Sequence, residues 1–328
     1  MNFHDNTSVY DAINLYIQLV NTARSANTAR TYRNGMSLFQ YTLSEHKLDP
    51  ESLPVSELGE EPVSWFTARL KKYSPATERL YLTALAGFYD YIVGENLAEV
   101  NLPRIRLLIH QRARRPGIRL PQFPQNDLDT LLQKISDLHT RIAADEEEKL
   151  RNLRDRAFLL TLADTGLRVH EACGMRRGDL DRNEGRAIVI GKGNQQAVVR
   201  FSKRAQAALD DYLRARAPLD GSSGRPLSSL PLFARHDPGA GKKVKPITTA
   251  TGRNIVNLRV AEFLGEESVG RITPHSFRHY FVTRVLQASG NLKLAQELAR
   301  HKNIAVTQRY AHLSDNELDE GYWKAIEE

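Results

Sequence analysis

The first hundred residues repeat apolar side chains with the period of an amphipathic helix. In the first such segment, four apolar residues have the spacing i, i+4, i+7, i+11: Val9, Ile13, Tyr16 and Val20. Another helix has a clear beginning, because Ser74 is a suitable N-cap and Pro75 suits the first helical position. The pattern predicts helices near residues 8–22, 27–45, 62–73 and 75–95. No strand-like alternation separates them, so residues 1–100 are predicted to form a compact helical domain.

Residues 101–124 break this pattern. Prolines that interrupt helices occur at Pro103, Pro116, Pro121 and Pro124. Positive charge accumulates at Arg104, Arg106, Arg112, Arg114, Arg115 and Arg119. We interpret this stretch as a basic linker and keep two hypotheses for it: a solvated tether, or a strap that lies along the phosphates of a nucleic acid.

Helical patterns return after residue 125, but β-branched runs at 186–190 and 197–201 flank a Gly-Lys-Gly-Asn segment at 191–194. This arrangement predicts a β-hairpin. Residues 218–245 contain Pro, Gly, Ser and Lys in a stretch that predicts an irregular surface loop. The predicted fold class is therefore mainly α with a small antiparallel β-sheet: a helical N-terminal domain followed by an α+β domain over residues 125–328.

Composition adds limits to this picture. The length of 328 residues suits two domains better than a single hydrophobic core. No apolar run approaches the ~18 residues that span a bilayer, and the N-terminus lacks the features of a signal peptide, so we expect a cytoplasmic protein. The single Cys173 excludes an intrachain disulfide and a cysteine-based zinc cluster. The net charge of +7 suggests a polyanionic partner such as a nucleic acid.

Three short segments carry the candidate chemistry. They read Thr-Gly-Leu-Arg-Val-His-Glu at 165–171, Pro-His-Ser-Phe-Arg-His at 274–279, and Ala-Arg-His at 299–301 followed by Gln-Arg-Tyr-Ala-His at 308–312. His275 and Arg278 are three residues apart, so on a helix they share a face and can grip one phosphate. Such a pair also occurs on ordinary surfaces, and it is the combination of the three segments that is specific.

In this order and spacing the segments resemble the tyrosine recombinase family, the phage integrase type. The family's catalytic positions are matched by Arg168, Lys192, His275, Arg278, His301 and Tyr310, and Glu171 fills its acidic position. The resemblance is strong over residues 150–315. It is weaker in the N-terminal half, where it rests on Thr28, Thr31, Tyr32 and Phe39. One departure is Arg300, because glycine commonly precedes the histidine in this family.

The resemblance implies a simple Xer-like architecture. Residues 1–100 would be the core-type DNA-binding domain, 101–124 the linker, and 125–328 an integrase-type catalytic domain that ends in a docking helix. We expect no additional arm-binding module before the helical domain. The residues expected to contact DNA are Arg30, Arg33, Arg112, Arg114 and Arg115.

The chemistry of a phosphodiester explains these residue types. Negative charge gathers on the non-bridging oxygens during in-line attack, and the guanidinium groups of Arg168 and Arg278 can stabilise it. Tyrosine has a reference pKa near ~10, so Tyr310 needs help to attack, and His275 can accept its proton.

The other polar side chains have supporting or separate roles in this hypothesis. Lys192 on a mobile hairpin would protonate the 5′ leaving oxygen, and His301 would hydrogen-bond the scissile phosphate. Glu171 and His279 are expected to support the site. A 3′-phosphotyrosyl bond conserves the energy of the broken linkage, so we expect no metal, no ATP and no other cofactor.

Three other functions are weighed against this one. A type IB topoisomerase shares the chemistry but acts as a monomer on one duplex. A catalytically silent DNA-binding protein would not need the six catalytic positions, which are all filled here. A metal-dependent nuclease would need a carboxylate cluster, and the candidates for it sit around one helix and its end: Asp164, Glu171, Asp179 and Asp181.

The expected partner is double-stranded DNA with specific recombination sites, whose strands are exchanged through a Holliday junction. We expect no membrane partner. We expect a monomer in solution that forms a homotetramer on DNA and associates with the nucleoid when it acts. The tail predicts an amphipathic helix, from the apolar residues Leu318, Tyr322, Trp323 and Ile326. This helix either folds back on its own domain or docks into a neighbouring subunit.

Overall fold

The computed structural model describes residues 7–114, 124–191, 196–237, 239, 243–301, 303, 304, 307 and 323. The chain divides into two compact units, Met1–Arg119 and Leu120–Glu328. In the described part of the chain, no helix is both long enough and apolar enough to cross a membrane.

The first unit is a helical bundle. Its helices are α1 (Val9–Ala23), α2 (Ala26–Glu45), α3 (Glu61–Leu70), α4 (Pro75–Gly94) and α5 (Leu102–Arg112). Serine side chains cap three of them, since Ser8, Ser25 and Ser74 each accept a hydrogen bond from the backbone N–H three residues later. The four helices predicted before residue 100 match α1 to α4, because their apolar stripes converge on one core that includes Phe39, Phe66 and Phe88.

The segment predicted to be an irregular linker begins with a helix instead. Pro103 lies in the first turn of α5, where its missing N–H costs no hydrogen bond, so this proline does not break the helix. Ile105 is buried in the core of the first unit, which holds α5 in place. The first unit thus continues past residue 100 to Arg119.

The end of this helix is tied down by a buried acid. The side chain of Arg114 forms an ion pair with Glu78, and the Arg114 backbone N–H donates to the same carboxylate at 3.0 Å. Lys71 also pairs with Glu78, at 2.9 Å. Burial alone would raise the pKa of Glu78, but these hydrogen bonds and the charge of Lys71 lower it, so the acid stays ionised.

The second unit is mainly helical with one small sheet. Its helices are α6 (Gln125–Ser136), α7 (Glu146–Thr165), α8 (Val169–Gly174), α9 (Lys203–Gly221), α10 (Thr249–Leu264), α11 (Pro274–Ser289) and α12 (Leu292–Ala299). The strands are β1 (Leu180–Asp181), β2 (Arg186–Ile190) and β3 (Gln196–Arg200), antiparallel in the order β1-β2-β3. This confirms the predicted fold class and the hairpin, in which Ile188 faces Val198.

The helix α7 lies at the centre of this unit. Its residues from Asn152 to Ala163 are all buried, including the charged side chains of Arg154, Asp155 and Arg156. A helix that is buried on every side must sit inside the domain. The buried charges are paired, since Asp155 binds both Arg154, at 2.7 Å, and Arg259, at 2.8 Å.

The prediction of an irregular surface loop at 218–245 was wrong in part. The helix α9 continues through Pro218 to Gly221. Leu232 and Phe233 are fully buried, and the ring centroids of Phe233 and of Phe158 in α7 are 5.2 Å apart. The buried Arg216 anchors this stretch by donating to backbone carbonyls, so residues 230–234 belong to the core, whereas residues 224–228 are exposed.

Candidate active site

The first motif forms a tight turn between α7 and α8. Gly166 ends α7 with a φ of 61°, a left-handed conformation that favours glycine. A Cβ atom at this position would also lie only 2.5 Å from the Phe281 ring. The turn therefore requires glycine, and it delivers Arg168 to the N-cap position of α8.

The carboxylate of Glu171 holds this turn together from inside. Its side chain is 1 % exposed and accepts from the backbone N–H of Arg168 and from Arg168 Nη1, each at 2.9 Å. Arg300 Nη2, from the third motif, also donates to it at 3.0 Å. Burial tends to raise the pKa of Glu171, but these hydrogen bonds and the two arginine charges lower it. The Arg168 side chain remains 41 % exposed and so can reach a ligand.

Arg278 joins all three motifs. It lies in α11 and is only 3 % exposed. Its Nη1 donates to the carbonyl of Gly166 at 2.5 Å, and its Nη2 donates to the carbonyl of Ala299. One guanidinium group therefore connects the turn before Arg168 to the turn before His301.

Two histidines of α11 stand side by side next to these arginines. The rings of His275 and His279 are 4.3 Å apart at an interplanar angle of 83°. Burial lowers the pKa of His275, and the positive charges of Arg278 and Arg168 lower it further. Burial, His275 and Arg278 together lower the pKa of His279 to about 4. His275 is therefore neutral at pH 7 and can accept a proton.

The turn after α12 positions the third histidine. Arg300 adopts the left-handed conformation, with a φ of 56°, so the backbone keeps the geometry that glycine usually provides there. The backbone N–H of His301 donates to the Gln296 carbonyl at 3.1 Å, and Gln296 Nε2 donates back to the His301 carbonyl at 3.0 Å. His301 Nδ1 lies 2.9 Å from the hydroxyl of the buried Thr307.

His301 also shares the electrostatic environment of the other residues. Burial and the charges of Arg278 and Arg168 lower its pKa to about 4. Because Thr307 occupies Nδ1, Nε2 is the ring nitrogen that can meet a ligand.

The structure thus brings together most of the predicted catalytic side chains. We call this set the active-site cluster: Arg168, Glu171, His275, Arg278, His279 and His301. Lys192, Tyr310 and Arg115 lie outside the described residues, as does the tail helix apart from Trp323. Their roles stay predictions.

Two residues of the site were not predicted to have a role. Arg300 was noted only as a departure from the family pattern, and Thr307 was not singled out. The signal for Arg300 was a long charged residue at a position that favours glycine. For Thr307 the sequence offers only its place between His301 and Tyr310.

The carboxylates considered for a metal site are not grouped. Asp164 binds Arg204 through Nε at 2.7 Å, and Asp179 accepts from the backbone N–H of Arg176 at 2.7 Å. Glu171 accepts hydrogen bonds from Arg168 and Arg300. Among the described residues no group of three His, Cys, Asp or Glu side chains is arranged to hold a metal ion.

The profile of the phage integrase family matches residues 126–317, more than half of the chain. The chain belongs to this family. Among curated proteins, it is 29 % identical to the tyrosine recombinase XerC of Thermodesulfovibrio yellowstonii, over 92 % of this chain and 90 % of that protein. It is also 29 % identical to the tyrosine recombinase XerC of Treponema denticola, over 90 % of this chain and 91 % of that protein.

Solved structures support the same fold. The XerH site-specific recombinase bound to palindromic difH substrate, in a post-cleavage complex, has a TM-score of 0.67 at 19 % identity, over 98 % of both chains. The Tn1549 transposon integrase in complex with a circular intermediate DNA has a TM-score of 0.64 at 18 % identity, over 98 % of this chain and all of that one. These similarities confirm the predicted fold, and the match to the family profile confirms the predicted family.

Proposed function

We propose that this chain is a site-specific DNA recombinase that cleaves and rejoins DNA through a 3′-phosphotyrosyl bond to Tyr310. The observation that carries this proposal is the position of Arg278, whose guanidinium joins the turn bearing Arg168 to the turn bearing His301. The site contains two arginines, and two histidines whose pKa values are lowered. Together these side chains can stabilise a phosphate that gains negative charge during attack.

The cleavage step uses four members of the active-site cluster together with Tyr310 and Lys192. The Tyr310 oxygen attacks phosphorus, its proton passes to neutral His275, and the bond to the 5′ oxygen breaks. Lys192 gives that oxygen a proton. Arg168 and Arg278 stabilise the non-bridging oxygens, and His301 donates to them through Nε2. In rejoining, a 5′ hydroxyl from the partner strand gives its proton to Lys192 and attacks the same phosphorus, the bond to Tyr310 breaks, and the Tyr310 oxygen takes back the proton held by His275. One phosphoester bond replaces another, so neither metal nor ATP is consumed.

The proposed ligand is double-stranded DNA with specific recombination sites. Arg30 and Arg33 are exposed on α2, three residues apart, and Arg112 is exposed at the end of α5. We retain these three as phosphate contacts. Arg114 already pairs with buried Glu78, so its first role is to hold the end of α5. The solved complexes of XerH with difH and of the Tn1549 integrase with DNA support the assignment of DNA as the ligand.

We further propose that four copies assemble on two DNA sites and exchange strands through a Holliday junction. The tail over residues 316–328 would dock into the next subunit around the ring, a head-to-tail contact that one donor helix and one acceptor pocket can build. The protein would act in the cytoplasm, on the nucleoid. Relatives named tyrosine recombinases that match about nine-tenths of this chain favour this function over a type IB topoisomerase.

Covalent trapping tests the proposed function. The DNA sites that the purified protein protects would be recovered from genomic fragments and synthesised with a nick close to the cleavage point, so that the short leaving strand diffuses away. We expect a protein–DNA adduct that resists denaturation and contains Tyr310. A protein that binds the site without forming the adduct would be a silent DNA-binding protein. Relaxation of supercoiled plasmids that lack the site would instead favour a topoisomerase.

A change at Lys192 tests the assignment of the general acid. Lys192→Ala should cleave an ordinary phosphodiester slowly but a 5′-bridging phosphorothiolate at nearly the wild-type rate, because a thiolate leaves without a proton. Single-turnover cleavage of the two substrates measures the ratio. Lys203→Ala serves as control and should behave as wild type, since Lys203 is exposed at the start of α9. Equal slowing of Lys192→Ala on both substrates would assign Lys192 to binding.

A further inference from the structure

Arg300 places a third arginine beside the active-site cluster. Its side chain is 14 % exposed, and its Nη2 donates to Glu171 Oε2 at 3.0 Å. The other oxygen of that carboxylate, Oε1, accepts from Arg168 Nη1 at 2.9 Å. The buried Glu171 therefore lies between two guanidinium groups that come from distant parts of the second unit's sequence.

The backbone at Arg300 makes this contact informative. The residue ends α12 in the left-handed conformation, which a side chain with a Cβ adopts at a cost and glycine adopts freely. The left-handed conformation costs a side chain free energy, and the ion pair with Glu171 can offset part of that cost.

Charge explains what the contact does for Arg168. A carboxylate paired with one arginine cancels that arginine's charge, and a cancelled charge stabilises a phosphate poorly. A second arginine on the same carboxylate restores a net charge of about +1 to the three groups. It also fixes Oε2, so that Oε1 stays in place to orient Arg168.

We propose that Arg300 is a positioning residue that acts through Glu171 to orient Arg168 and to keep its charge available for the scissile phosphate. The inference rests on the proposed function. Arg300 does not have to touch DNA in this account, which separates it from Arg168 itself. The linked side chains of Arg300, Glu171 and Arg168 couple the turn that positions His301 to the turn that positions the first catalytic arginine.

Three variants test this coupling. Arg300→Gly is compatible with the left-handed backbone and removes the whole side chain, Arg300→Lys keeps the charge, and Glu171→Gln removes the negative charge that links the two arginines. Single-turnover cleavage of the nicked site at saturating protein should fall about tenfold or more for Arg300→Gly, with DNA affinity within about twofold of wild type. Arg300→Lys should recover most of the rate. Thermal unfolding midpoints confirm that each variant is folded.

The double variant separates positioning from direct contact. In the Glu171→Gln background, Arg300→Gly should slow cleavage by less than about twofold, because the route through Glu171 is already broken. If the two effects multiply instead, or if Arg300→Gly cleaves at the wild-type rate, the inference is wrong. A wild-type protein that forms no covalent adduct would overturn the proposed function and the inference together, whereas an active wild type with an active Arg300→Gly overturns the inference alone.

Discussion

Tyr310→Phe should abolish DNA cleavage while it leaves DNA binding almost unchanged. The hydroxyl is the proposed nucleophile, and its removal leaves the cluster nothing to join to phosphorus, so the rate should fall on the order of 10⁴-fold or more. Affinity should stay within about twofold, because phosphate contacts dominate binding and the ring is retained. Covalent adduct formation on the nicked site and a gel-shift titration on the intact site measure the two quantities.

Tyr280→Phe is the matched control. Tyr280 lies in α11, close in sequence to His275 and Arg278, for which we propose catalytic roles, but its hydroxyl donates to Asp129 at 2.8 Å. Loss of this contact should lower stability slightly and spare cleavage. Adduct formation by Tyr310→Phe at the wild-type rate would end the proposal, and loss of the adduct in both variants would show that the assay reports folding rather than chemistry.

Removal of either arginine that we propose to bind the scissile phosphate should produce the next largest loss of cleavage rate. Arg168→Ala and Arg278→Ala should each raise the barrier of the chemical step by about 3–4 kcal/mol, the range found when a donor to a developing oxyanion is lost. Single-turnover cleavage at saturating protein isolates this step from binding. A loss of tenfold or less in either variant would show that the phosphate lies elsewhere.

The structure predicts that the two variants differ in their free energy of unfolding even if their cleavage rates are equal. Arg278 is 3 % exposed and donates to the carbonyls of Gly166 and Ala299, so its removal leaves buried acceptors unpaired at a cost of about 1–3 kcal/mol each. Arg168 is 41 % exposed and its removal leaves one buried acceptor, Glu171 Oε1, without this donor, so it should cost less than the loss of Arg278. Urea unfolding of both variants measures the difference. Equal stabilities would mean that Arg278 does not join the motifs as described.

Arg278→Lys refines this comparison. Lysine keeps one positive charge but cannot donate to both carbonyls with the planar fork of arginine. We therefore expect this variant to recover part of the stability and little of the cleavage rate, measured in the same two assays. Full recovery of cleavage would show that charge alone, without the fork, is enough at this position.

Local pattern was sufficient for much of the fold. Apolar spacing, with the cap at Ser74, predicted α1 to α4 to within a few residues, because an amphipathic helix and its first turn are specified by neighbours in the chain. The β-branched runs predicted the β2–β3 hairpin for the same reason. The helix α5 was missed, since Pro103 was interpreted as a helix breaker when its place in the first turn makes it compatible with a helix.

The sequence by itself determined which side chains are candidates for the chemistry, because the family motifs are short and each lies within one turn or helix. Only the tertiary structure decided how they are connected. Arg300 and Glu171 are 129 positions apart, and Arg278 and Gly166 are 112 apart, so no local pattern specifies that they meet. Their contacts follow from the packing of α11 against both α7 and α12. For the same reason, the burial that lowers the pKa values of His275 and His301, and the charge of Arg168 that lowers them further, depend on residues distant in sequence, which only the fold brings near.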